Sequence, residues 1–251
     1  MKQDLVSIIT PAYKAAATIG QTIASVQAQT HGHWEMLVAD DCSPDDTRAV
    51  VAEWAARDAR VRLIPMAKNG GPAAARNGAL AQAQGRWIAF LDSDDLWLPP
   101  KLEHSIAHAQ ANGAALVFTG FRRISFDGTR TGEYIGVPRT LTYRQLLGNT
   151  AIATSTVLLD RAQCGEVRMK PVFYDDFACW LEILKRGFVA HGLDEDLMRY
   201  RVMPASVSRN KKRSAQEVWK AYRQVEHLGP IASAWHFTGY ALRALRKYRQ
   251  F

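Results

Sequence analysis

What most constrains the fold is a fourfold alternation in the first 98 residues. Residues 5–10 (L-V-S-I-I-T), 35–39 (E-M-L-V-A), 61–64 (V-R-L-I) and 86–91 (R-W-I-A-F-L) are apolar, β-rich runs of strand length. Between them lie residues 16–28, 46–57 and 73–82, all of helical composition. In the first of these, Ile19, Ile23 and Val26 are spaced as a buried stripe. Strand and helix alternating at intervals of roughly 25 residues predict a parallel α/β sheet with helices on both faces. Such sheets bind ligands beyond the carboxyl ends of their strands. Here those ends carry Pro11, Ala12 and Tyr13, then Asp40 and Asp41, then Asn69 and Gly70, then Asp92 and Asp94. One aromatic and four carboxylates on a single rim predict a site.

The run D-S-D-D after the fourth strand sharpens that expectation. Carboxylates crowded at a strand end repel one another and resist burial unless a positive charge sits between them. A hard divalent cation, magnesium or manganese, accepts such oxygens together with substrate phosphates. The plain alternative is an acidic turn capping the helix that begins near Pro99. Neither G-x-G-x-x-G nor G-x-x-x-x-G-K-[ST] occurs where a phosphate loop would stand, which disfavours a dinucleotide enzyme or a P-loop NTPase. Phosphates bound here would lean on a metal instead.

Residues 99–205 have a more mixed pattern. A helix is expected from Pro99 to about Ala111, a strand over 115–119, and strands within 122–134 joined by the turn Asp127-Gly128. A short helix over 142–147 and a strand over 156–159 follow. A helix over 174–184 opens with Asp175 and Asp176, and two strands are expected after Gly187, near Val189 and over 197–202.

The 251 residues suit one large domain with an appendage: a body over 1–205, whose first half (1–98) carries the rim and whose mixed half (99–205) would wall off a second substrate, and a tail over 206–251. Ten of the 32 Lys and Arg residues, but only two of the 24 Asp and Glu, fall between Arg209 and Phe251. That segment therefore carries the whole net charge of +8 and predicts an anionic partner. Val218, Tyr222 and Val225 line one face of a first tail helix, which Gly229-Pro230 ends. Phe237, Tyr240, Ala244 and Tyr248 line a second, with Arg243, Arg246, Lys247 and Arg249 nearby. Aromatic residues beside basic ones suit peripheral contact with an anionic membrane; the alternative is docking on the body with the charges solvated. Cys42, Cys164 and Cys179 are widely spaced and form no C-x-x-C, as expected of reduced thiols in a cytoplasmic protein. No signal peptide or membrane-spanning run is expected.

Five segments together, V-S-I-I-T-P-A-Y, V-A-D-D-C-S, N-G-G-P-A-A-A-R-N-G-A, F-L-D-S-D-D-L-W and Y-D-D-F-A-C-W-L, closely resemble family 2 glycosyltransferases over about residues 4–205. The stretch from Tyr200-Arg201 through Lys211 to W-K-A-Y-R resembles the teichuronic acid, capsule and lipopolysaccharide subgroup. The resemblance implies a GT-A fold, a Rossmann-like, mostly parallel sheet, and inverting transfer from a UDP-sugar to a glycan or polyprenyl-diphosphate-linked acceptor.

By the same resemblance Pro11, Ala12 and Tyr13 pack around the base, and Asp41 or its neighbour Asp40 accepts a hydrogen bond from it. Asn69 and Ser93 belong to the nucleotide-binding set, and Arg76 reaches the base or diphosphate. Asp92 faces ribose and metal, Asp94 ligates the metal, and Asp95 caps or supports. Asp176 matches the catalytic base and Asp175 its partner, where the family usually has Glu. Arg201 and Lys211 add positive charge near the diphosphate. Two rivals are weaker. A sugar-1-phosphate nucleotidyltransferase wants a Gly-rich basic loop where A-Y-K-A-A stands. A nucleic-acid-binding protein would show a binding motif beyond the basic tail, and none is present, so no nucleic acid is expected as a partner.

Overall fold

The computed structural model describes residues 2–149, 151–203 and 211–247. The elements run β1 (Lys2–Ala12), α1 (Ile19–Gln27), β2 (Trp34–Asp40), α2 (Thr47–Arg57), β3 (Val61–Pro65), α3 (Gly71–Leu80), β4 (Gly85–Phe90) and β5 (Leu96–Trp97). The second half continues with α4 (Lys101–Asn112), β6 (Leu116–Ile124), β7 (Thr131–Ile135), β8 (Thr140–Leu141), α5 (Tyr143–Leu147), β9 (Leu158–Asp160), α6 (Arg161–Cys164), α7 (Asp175–Lys185) and β10 (Ala190–Arg201). The tail forms α8 (Lys211–Lys220), a wider π-type turn over Ala221–Val225, and α9 (Pro230–Lys247).

One sheet runs through the body in the order β3-β2-β1-β4-β9-β6-β10-β5, with β7 added on β6 and β8 on β10. The four strands expected from sequence form the parallel part. Its centre is fully buried: β2 exposes none of its residues, and within it Glu35 is satisfied by the Ser7 hydroxyl and the Gln84 N–H. Two apolar layers close the faces. The stripe Ile19, Ile23, Val26 packs in one, with Val6, Ile8 and Trp87; Ile9, Phe90 and Trp180 pack in the other.

Beyond β4 the sheet turns mixed. β9 runs antiparallel between β4 and β6, and β5 pairs antiparallel with β10. Where two strands were expected after Gly187, there is a single twelve-residue strand, β10. The acidic stretch Asp194-Glu195-Asp196 reads as a break, yet its charges are matched. Asp194 accepts from the Tyr134 hydroxyl at 2.6 Å, and Asp196 pairs with Arg122 and Arg199. The strand therefore absorbs the acids as local irregularities in register.

The tail packs on the body. Val218 and Tyr222 are buried in the same layer as Trp180, and the Tyr222 hydroxyl donates to the Leu147 carbonyl. Glu226 is held by Lys185 at 2.6 Å and by the Tyr143 hydroxyl. Phe237 and Tyr240 pack against this layer too. The side of the second tail helix that carries Phe237 and Tyr240 thus faces the protein; Tyr248, Arg249 and the side chains of Arg243, Ala244, Arg246 and Lys247 lie outside what the structure describes. Among the described residues no helix is long and apolar enough to cross a membrane.

Candidate active site

Register brings the polar strand ends together. Ala12 of β1 pairs with Asp40 of β2, and the Leu91 N–H, just past β4, donates to the Ile9 carbonyl. Pro11, Ala12, Asp40 and the turn from Asp92 to Asp95 therefore share one rim, as expected of parallel strands. Tyr13 projects from it, 48% exposed, so it is no core aromatic. The next residue, Lys14, has a φ of 54°, which turns the chain sharply, and its ammonium lies 5.4 Å from the Tyr13 ring.

Asp40 and Asp41 are both buried, and each holds a different part of the rim. Asp40 Oδ2 accepts from the Ser43 N–H and from Arg48, the latter at 2.5 Å, while Oδ1 has no protein partner. The two Asp41 oxygens accept the N–H groups of Gly70 and Gly71 at 2.8 and 2.7 Å, and Asn69 donates to the Asp41 carbonyl at 2.8 Å. Asp41 thereby caps α3 from a distance, satisfying N–H groups that the helix start leaves open. Gly71 has a φ of 79°, so glycine is needed to turn the chain into the helix.

α3 delivers Arg76, and the structure gives it a larger role than the sequence suggests. Its guanidinium is buried and donates to Asp92 Oδ1 and Asp175 Oδ2, both at 2.7 Å. One cation thus joins the end of β4 to the start of α7. Burial works against its charge, but Asp92, Asp175 and Asp176 outweigh this and raise its pKa. Asp175 is buried and its pKa is raised, chiefly by burial, against the opposing pull of Arg76. Asp176 sits beside it, partly exposed, and accepts the Thr154 hydroxyl at 2.5 Å. Of the pair, Asp175 is the structural anchor and Asp176 the one a substrate can reach.

A short 3₁₀ turn, Thr154–Thr156, ties these pieces together. Thr154 orients Asp176. The Ser155 hydroxyl accepts the Asp92 N–H at 3.0 Å and also binds Asp95, and the Ser155 carbonyl accepts Trp97 Nε1–H at 2.7 Å. The only sequence signal for this turn is the hydroxyl run T-S-T before an apolar strand.

Asp95 is buried and accepts the Arg201 N–H; burial, then its Asp94 and Asp92 neighbours, push its pKa well up. Arg201 is buried as well. It supports the turn from behind, donating to the carbonyls of Asp94 and Phe126 and to Gln21. The Ser93 carbonyl accepts the Thr22 hydroxyl, which fastens the turn to α1. Lys211 opens α8, and its side chain lies outside the described residues.

Asp94, which is only partly buried, forms no ion pair with a cationic side chain among the described residues. Burial and the nearby Asp92 carboxylate raise its pKa from 3.8 to about 6, with Arg201 only partly opposing them. Among the described residues no three His, Cys, Asp or Glu side chains are arranged to hold a metal by themselves. Two carboxylates that await substrate phosphates to complete the shell fit a magnesium-type ion.

The raised pKa also sets a stability slope. A carboxyl that binds its proton more tightly when folded stabilises the fold below its unfolded pKa of 3.8, and that contribution disappears as pH rises through about 6. In the metal-free protein the contribution of Asp94 to this loss is expected to be about 3 kcal/mol. Asp94→Asn should flatten the slope in thermal melts. An equal slope in the variant would remove Asp94 as its source.

With this geometry in view, comparisons with known proteins show the family and the fold. Residues 7–162 match the sequence profile described as Glycosyl transferase family 2. The chain is 42% identical over 246 residues to the putative teichuronic acid biosynthesis glycosyltransferase TuaG of Bacillus subtilis (strain 168), covering 98% of each. It is 36% identical to the UDP-Glc:alpha-D-GlcNAc-diphosphoundecaprenol beta-1,3-glucosyltransferase WfgD of Escherichia coli, covering 99% of this chain and 96% of that one. Among solved structures, residues 1–349 of S. aureus TarS in complex with UDP superpose with a TM-score of 0.67 at 18% identity, covering 96% of this chain and 71% of that one. The mannosyltransferase PcManGT of Pyrobaculum calidifontis, in complex with GDP-Man and Mn2+, gives 0.70 at 18% identity, covering 96% and 74%. These neighbours share the GT-A fold. The chain belongs to glycosyl transferase family 2 and is a glycosyltransferase.

Proposed function

We propose that this enzyme moves a sugar, with inversion, from a UDP-sugar to a hydroxyl of a glycan or polyprenyl-diphosphate-linked acceptor during assembly of a cell-surface polysaccharide. The observation that carries this reading is the Arg76 bridge. It fixes the start of α7 against the Asp92 rim, so Asp176 stands beside the place where Asp92 and Asp94 would receive the donor's diphosphate. Support for donor and acceptor comes from relatives: the Escherichia coli enzyme is named for UDP-Glc and a diphosphoundecaprenol-linked sugar, and the Bacillus subtilis one for teichuronic acid.

Each step falls to a residue in place. Tyr13 offers a face for the uracil to stack on, beside Pro11 and Ala12. Asp41 keeps lone pairs beyond those taken by Gly70 and Gly71, enough to accept from the base, while Asp40 braces that wall through Arg48. Asp92 and Asp94 would hold the divalent metal, manganese or magnesium, which would offset charge on the leaving diphosphate. Asp176 Oδ, oriented by Thr154, takes the proton of the attacking acceptor hydroxyl on the side away from the leaving group, and a single displacement inverts the anomeric carbon. With a lipid-linked acceptor, the enzyme works at the cytoplasmic face of the membrane, in peripheral contact with it.

Calorimetry checks the donor half. UDP should bind with manganese present and lose at least about tenfold in affinity with EDTA or in Asp94→Ala, while GDP and CDP bind more weakly. Equal binding of all three nucleotides, or indifference to EDTA, would overturn the donor and metal assignments.

A further inference from the structure

We propose that α9 is the membrane-docking element of this enzyme, and that Ile231 and Trp235 are the side chains that enter an anionic bilayer. Ile231 is 87% and Trp235 76% exposed, by far the most exposed large apolar residues described. Four positions apart, they lie one turn from each other on the same side of the helix. The other side is occupied: Ser233 is buried and Phe237 and Tyr240 pack on the body. α9 therefore needs neither Ile231 nor Trp235 for its own docking. Both stand in water at a cost that transfer to the headgroup–acyl boundary would relieve.

Charge selects the partner. Residues 209–251 hold ten Lys and Arg against two Glu. Both acids are already neutralised, Glu217 by Lys220 at 2.7 Å and Glu226 by Lys185 at 2.6 Å. No tail carboxylate is thus left to repel an acidic surface, and basic residues beside a membrane are drawn to anionic lipid. The tail is also coupled to the catalytic wall. At its start the Arg213 guanidinium lies 4.8 Å from the Phe173 ring, two residues before Asp175, and farther along Glu226 grips the last residue of α7. α7 itself spans only about 16 Å from Asp175 to Lys185. A membrane bound through α9 lies near the helix that carries Asp176.

The proposal rests on the functional reading only for the acceptor's location, and its test uses neither donor nor acceptor. The full chain is floated with vesicles of equal parts phosphatidylglycerol and phosphatidylcholine, and with phosphatidylcholine alone. Wild type should float with the mixed vesicles and at least about tenfold less with the neutral ones. Ile231→Glu with Trp235→Glu should cut flotation on the mixed vesicles by at least about tenfold, with unchanged melting temperature and UDP affinity. Ile231→Leu with Trp235→Phe should keep it. Undiminished flotation of the glutamate variant would overturn the proposal. So would a wild type that is dimeric in solution and becomes monomeric in that variant, since the face would then belong to a second copy. Failure of UDP to bind would count against the functional reading and leave the flotation result standing.

Discussion

Asp176→Asn is expected to lower kcat by about three orders of magnitude while leaving UDP affinity within about a factor of three. The asparagine keeps the shape and still accepts the Thr154 hydroxyl through its carbonyl oxygen, so the fold around it should hold. What it cannot do is take a proton from an acceptor hydroxyl. In the proposed function donor binding would draw on Tyr13, Asp41, Asp92 and Asp94, none of which leans on Asp176. Single-turnover transfer and calorimetry on the same preparation separate the two effects. Near-normal turnover would remove Asp176 as the base. The buried Asp175, bonded to Arg76, would not replace it without breaking that pair.

Arg76→Met is expected to destabilise the protein by about 3–5 kcal/mol, because it leaves Asp92 and the buried Asp175 facing one another without a cation. For a chain of this size that corresponds to a fall of roughly 10 °C in melting temperature. The size of the loss comes from the unpaired acids, not from the bond energy of the pair, so removing one acid should return part of it. Arg76→Met combined with Asp175→Asn should recover at least about 1 kcal/mol in urea melts. A single variant within 1 kcal/mol of wild type would mean that water already solvates these carboxylates. Catalysis should fall as well, since the same guanidinium sets the spacing between rim and base.

The parallel half of the fold was legible because its strands are short apolar runs with polar punctuation at their ends, β1, β2 and β4 being buried on both faces and β3 lying at the edge. The rim followed directly, since strand ends fall together once the strands are parallel. The mixed half was harder. β5 and β8 have only two residues each, too few for any period to register, and β10 carries three acids whose partners come from β6, β7, α4 and β10 itself. Asp92 and Asp94 stood out as carboxylates crowded at a strand end, and Asp176 was singled out only through the family resemblance. The roles of Arg76 and Thr154 were not legible, because a link between α3, β4 and α7 spanning 99 residues leaves no local pattern. Lys101 shows the same limit from the other side: a lysine in a helix first turn reads as solvated. Here it is fully buried over the Trp97 ring, and burial lowers its pKa to about 7.

The place of β9 in the sheet limits how such enzymes can exchange parts. It is the strand that joins β4 to β6, and Asp160 at its end is clamped by Arg86 of β4 through two hydrogen bonds. A crossover near residue 98, where the alternating first half of the sequence ends, would ask one parent's β4 to accept another parent's β9. The family profile runs on to residue 162, just past that strand. A seam after β9 would keep β4, β9 and β6 in one parent, while α7 would move together with β10. Chimeras meant to trade acceptor preference between relatives therefore have to match β10 to the β5, β6 and β8 it pairs with, and Asp175 to Arg76.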